Sequence, residues 1–134
     1  MPVLVMKFGG TSVASIDRIT RAAKRVAREV ALGYDVIVIV SAMSGKTNEL
    51  AGWVNDISPL HDAREYDAVV SSGENVTAGL MALVLQEMEI PARSWQGRQV
   101  PLNTSSTHSA ARIEAIPTKH IHRKFAQGLR GAAG

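Results

Sequence analysis

The chain has 134 residues, with 15 Lys and Arg, 12 Asp and Glu, a net charge of +3 and 46% hydrophobic residues. Against about 150 residues per domain this allows one folded unit and excludes multidomain, disordered and collagenous readings. Cysteine is absent, which removes disulfide frameworks, thiolate zinc sites and cysteine nucleophiles, and makes the cytoplasm the expected compartment.

The charge is unevenly spread: residues 1–90 hold 8 basic and 11 acidic side chains, whereas 91–134 hold 7 basic ones and a single acid, Glu114. A basic tail can neutralise phosphates, but no aromatic residues interleave with these charges and no readout motif accompanies them, so nucleic acid is not the expected partner. The apolar run 36–40 is far short of the roughly 18 residues that span a bilayer, and no membrane partner is expected. The first residues lack the basic leader and small-residue cleavage site of a secretory signal.

In chain order, Leu4 to Phe8 reads as a short buried strand that runs into Gly9-Gly10. Ile16, Ile19, Ala23, Val26 and Val30 then recur at steps of three and four, with Arg18, Arg21, Lys24, Arg25 and Arg28 on the other faces, which predicts an amphipathic helix. Ser15 is placed to cap it, Asp17 to favour its first turn and Gly33 to end it. The β-branched run 36–40 predicts a second strand covered on both faces, parallel to the first through a right-handed crossover.

A second helix is signalled by Leu50, Trp53, Val54 and Ile57 and closed by Pro59. Segment 65–72 is ambiguous between helix and strand. A third helical pattern, Val76, Leu80, Leu83 and Val84, stops before Pro91, and 92–95 resembles another short strand. Residues 97–109, rich in Ser, Thr and Asn, read as a loop. The apolar stripe residues, Trp53 and Val54 among them, are core by default. The expected fold class is α/β: a mostly parallel sheet flanked by helices.

Three segments could carry chemistry. Lys7, Phe8, Gly9 and Gly10 stand at the carboxyl end of the first strand, where open α/β sheets place ligands; glycine lets backbone N–H groups approach a phosphate and Lys7 supplies charge. The plainer reading is a glycine turn with a snorkelling lysine. Segment 41–48 invites comparison with a P-loop, but the position where that motif needs its first glycine is Val40. What remains is a set of hydroxyls, Ser41, Ser44 and Thr47, for which helix capping by Ser44 or Thr47 is the bland alternative. Glu74 follows Ser71-Ser72-Gly73 and reads as an acid at a helix start, favoured there by the dipole alone. If buried it would need a cation, which in an amino-acid site could be a substrate ammonium. His61, His108, His120 and His122 do not make a metal site, and no metal is assigned to protein ligands.

The motifs KFGGTSV (7–13), VSAMSGKTN (40–48), SSGENVTAGLMA (71–82) and ARSWQG (92–97), in this order and spacing, resemble the aspartokinase family over about the first 115 residues. The resemblance implies an amino-acid kinase fold, of which residues 1–116 would be the amino-terminal part and 117–134 a divergent basic tail. It implies transfer of the ATP γ-phosphoryl group to the side-chain carboxylate of L-aspartate, giving 4-phospho-L-aspartate for lysine, threonine and methionine biosynthesis. On this reading Lys7 is catalytic, Lys7, Phe8, Gly9 and Gly10 bind ATP, and Ser41, Thr47 and Glu74 bind aspartate, with Glu74 receiving its ammonium and Mg2+ arriving with the nucleotide. A homo-oligomer or a complementing carboxyl-terminal part is the expected assembly. The pattern departs from the family at Arg98, at Ser109 and after Ile116, and an amino-terminal piece without catalysis, acting as a binding module, is the alternative.

Overall fold

The computed structural model describes residues 2–60 and 62–95, together with the backbone of 103–104 and 113–115. The elements are β1 (Val3–Phe8), α1 (Ile16–Ala31), β2 (Asp35–Val40), α2 (Lys46–Ile57), α3 (Ala63–Glu87), β3 (Asn103–Thr104) and β4 (Ile113–Ala115), with a 3-10 turn at Gly10–Val13 after β1. β1 and β2 pair in parallel, in register from Val3 opposite Asp35 to Phe8 opposite Val40.

The crossover helix has the ends its residues call for. Ser15 Oγ accepts from the Arg18 backbone N–H at 3.2 Å, and Asp17 lies in the first turn. At the other end Gly33 takes φ +100°, donating its N–H to the Val30 carbonyl at 3.0 Å while Tyr34 N–H reaches the Glu29 carbonyl at 3.3 Å. This pair of bonds satisfies carbonyls that the helix would otherwise leave open.

Successive strand residues point to opposite faces, so the strand pair has two different sides. Phe8, Val36, Val38 and Val40 are buried with Val13, Ile19, Ala23 and Val26 from the α1 side and Ala78, Met81 and Leu85 from α3. On the other side Val3 and Val5 stay exposed, Val5 at 59%. The expectation that β2 is covered on both faces therefore holds only in part: Ile37 and Ile39 are half-buried.

Segment 65–72, open between helix and strand, is helical. Several expectations are corrected: α3 runs unbroken from Ala63 to Glu87 with Gly73 inside it. Its buried stripe is Thr77, Ala78, Met81, Ala82 and Leu85, about one residue round from the predicted one, with Val76 and Leu83 facing outward. Small and polar residues account for the shift, because Ala packs closely and Thr77 satisfies its hydroxyl by donating to the Gly73 carbonyl at 3.1 Å. In α2 only Leu50 is buried, whereas Trp53 is 54% and Ile57 87% exposed. Segment 92–95 forms no strand; Ala92 is buried and its carbonyl accepts from Gln86 Nε2 at 2.8 Å. The segment read as a loop, 97–109, contains β3, which pairs antiparallel with β4. The tail 117–134 lies outside the described residues. Among those residues α3 alone is long and apolar enough to cross a membrane, but it holds Met81 and Leu85 in the core with the strands, which is what a core helix does.

Candidate functional site

Three chain segments meet at the carboxyl end of the parallel pair, and backbone approach is what brings them together. Ser41 N–H donates to the Phe8 carbonyl at 3.3 Å, so the chain leaves β2 still tied to the end of β1. In the glycine turn Ser12 N–H donates to the Gly9 carbonyl at 3.0 Å. A Cβ on Gly10 would stand 2.9 Å from the Ala42 carbonyl oxygen, closer than a side chain tolerates against backbone. On the far side a Cβ on Gly73 would meet Ala42 Cβ at 3.1 Å and Leu50 Cδ1 and Lys46 Cγ at 3.3 Å each. Ala42 is thus touched from one direction by the glycine turn and from another by the middle of α3.

The polar side chains around this meeting point are open. Lys7, Gly9, Thr47 and Glu74 are exposed and Ser41 is half-buried. Among the described residues none of the Lys7, Ser41, Thr47 and Glu74 side chains makes a hydrogen bond or ion pair. A Cβ on Gly9 would meet nothing within 4 Å, so the backbone there faces free space. Phe8 differs from its neighbours: it is buried in the core, and its contribution to the site is its backbone carbonyl.

Two of the bland readings do not survive. Gly45, at φ +81°, is the cap of α2 and no side chain hydrogen-bonds there, so Ser44 and Thr47 are not its capping residues. Glu74 sits in the interior of α3, where the first-turn dipole argument has no force; that turn begins at Asp62, whose Oδ1 accepts from Glu65 N–H at 3.1 Å. Lys46 is the residue that sequence reasoning passed over, set aside with the failed P-loop pattern. It is the first residue of α2, where a cation opposes the helix dipole, and it pairs with Glu49 at 3.0 Å. The signal that could have found it is this charge at the wrong end of a helix.

Comparison with known proteins places these features in a family context. The model of the amino acid kinase family matches residues 2–130. The aspartokinase of Rickettsia felis is 48% identical over 126 residues, covering 92% of this chain and 31% of the relative. That of Pseudomonas aeruginosa is 44% identical over 128 residues, covering 96% and 31%. The chain therefore spans about a third of the length of these relatives. Among solved structures, aspartate kinase from Synechocystis superposes with a TM-score of 0.81 at 34% identity, over all of this chain and 22% of that one. E. coli aspartokinase III in complex with aspartate and ADP gives the same TM-score at 21% identity, a likeness of fold.

Proposed function

Since the chain belongs to the amino acid kinase family, we propose that the meeting point at Ala42 serves aspartate kinase chemistry, as the amino-terminal part of a larger catalytic unit. The reaction joins two anions. An oxygen of the aspartate side-chain carboxylate attacks the γ-phosphorus of ATP, the bond to the bridging oxygen breaks, and ADP leaves with that electron pair. Such a transfer needs charge neutralisation and alignment more than covalent help from protein.

Lys7 and the Gly9–Gly10 backbone fit an anion: a cation without a partner among the described residues stands beside Gly9, whose backbone faces open space. Lys7 is assigned to the charge that develops on the transferring phosphoryl group, and Phe8, Gly9 and Gly10 to its path. Mg2+ bound with the nucleotide would add positive charge at the phosphates. Ser41 and Thr47 are assigned to the aspartate as hydroxyl donors, and Glu74, a carboxylate without a partner among the described residues, to its ammonium. The product, 4-phospho-L-aspartate, fits the start of lysine, threonine and methionine biosynthesis in the cytoplasm.

The observation that carries the proposal is the double approach to Ala42, by Gly10 and by Gly73, which draws the anion-binding turn and the carboxylate-bearing helix to one place. ADP release with ATP, Mg2+ and aspartate, measured on the chain alone and with a complementing carboxyl-terminal part, tests it. Aspartate-dependent release that needs Lys7 is the expected result. Release indifferent to aspartate in the complemented protein would overturn it.

A further inference from the structure

A polar concavity lies beside α1, at the Phe8 end of β1. Arg18, Arg21 and Arg25 of α1, with Ser12 from the glycine turn, border a cavity of about 270 Å³ in which Phe8 and Ala22 are the apolar lining. The three arginines follow at steps of three and four and so share one helix face. Among the described residues none that lines the cavity is acidic.

The guanidinium groups are held to different degrees. Arg18 is fixed, its Nη1 donating to the Thr11 carbonyl at 2.8 Å. Arg21 pairs with Asp17 at 2.9 Å, but both side chains are more than 70% exposed, where such a pair is weak and exchangeable. Arg25 makes no hydrogen bond or ion pair among the described residues. Three like charges on one helix face repel one another, and an anion between them would relieve that repulsion. The guanidinium fork matches phosphate oxygens in bidentate fashion, and a hydroxyl beside it adds a donor. The volume lies just below the range of roughly 300–1,000 Å³ typical of drug-sized ligands, which suits a small anion.

We propose that this cavity binds a small phosphate-class polyanion of about pyrophosphate size, at a site separate from Lys7. Lys7 and Phe8 are adjacent on β1 and point to opposite faces, so the cavity opens away from the Lys7 side chain although it borders the same glycine turn through Phe8 and Ser12. The test is a titration of the full chain with sodium pyrophosphate at constant ionic strength, followed by amide chemical shifts. The amides of Ser12, Ala22 and Arg25 are expected to move together and saturate with one dissociation constant. Arg25→Ala is expected to weaken binding by about fivefold or more, as one charge-assisted fork is lost. Lys24→Ala, an equal change of charge on the same helix outside the cavity, is expected to cost less than about twofold through screened long-range attraction. Shifts that do not saturate, shifts confined to Gly9 and Gly10, or equal losses in the two variants would overturn the proposal.

Discussion

Lys7 and Glu74 are both charged, exposed and without a partner among the described residues, and the proposal gives them opposite tasks. Charge on the transferring phosphoryl group grows toward the transition state, so Lys7→Ala in the complemented enzyme should lower kcat by about 100-fold or more while leaving aspartate affinity little changed. Steady-state ADP release checks this, and unchanged turnover would end the anion assignment of Lys7. Glu74 meets a charge that aspartate carries from the start. Glu74→Gln should therefore raise the aspartate dissociation constant by roughly tenfold or more, the worth of one charge-assisted hydrogen bond of about 1.5–3 kcal/mol. Calorimetric titration with aspartate reads this directly; equal affinities would leave Glu74 as a solvated helix residue.

At the level of elements, the glycine contacts differ in what they touch. A Cβ on Gly10 would meet a backbone carbonyl at 2.9 Å, which cannot move without shifting the exit of β2. Gly10→Ala should destabilise by about 1–3 kcal/mol, the usual cost of overpacking, and should loosen the site as well. Gly79 has nothing within 4 Å of an added Cβ, so Gly79→Ala should instead stabilise α3 by about 1 kcal/mol. Urea midpoints of the two variants should move in opposite directions. The end of α3 offers a separate test. Glu89 adopts φ +62° just after the helix, in a turn where Glu89 N–H bonds the Gln86 carbonyl at 2.9 Å and Ile90 N–H the Leu85 carbonyl at 3.0 Å. Glycine usually fills that position. Glu89→Gly should stabilise by about 0.5–1 kcal/mol, since steric relief of about 1–2 exceeds an unfolded-chain entropy cost of about 0.4–1. A lower unfolding midpoint in this variant would contradict the account.

On the scale of the whole molecule, the uneven covering of the strand pair dominates. One face carries the core and the other leaves Val3 and Val5 exposed, and among the described residues β1 has β2 as its only ladder partner. Trp53, Ile57, Leu60, Val76 and Leu83 add outward apolar surface on α2, α3 and the link between them. A strand edge and apolar patches of this kind favour association. Size-exclusion chromatography of the chain alone should show concentration-dependent self-association, and a complementing carboxyl-terminal part should suppress it and raise the thermal midpoint. A concentration-independent monomer with a sharp unfolding transition and aspartate-dependent turnover would contradict this expectation.

What the sequence by itself determined is the part governed by local rules. The β1–α1–β2 unit follows from a short apolar strand, a 3.6-residue periodicity between Ser15 and Gly33, and a β-branched run, because caps, turns and periodicity act over a few residues. The family motifs were equally legible, since four short strings in register carry their information without coordinates. The tertiary structure decided what depends on neighbours distant in the chain. Gly73 reads locally as a break before a helix, yet the helix passes through it because Ala42, Leu50 and Lys46 pack where its side chain would be. The same packing rotates the buried stripe of α3 toward Ala78 and Met81 and puts Glu74 in mid-helix rather than at a cap. Close packing at Ala42, of the glycine turn against its carbonyl and of α3 against its methyl group, is encoded by no propensity or spacing and is the physical reason that only the fold could bring the site together.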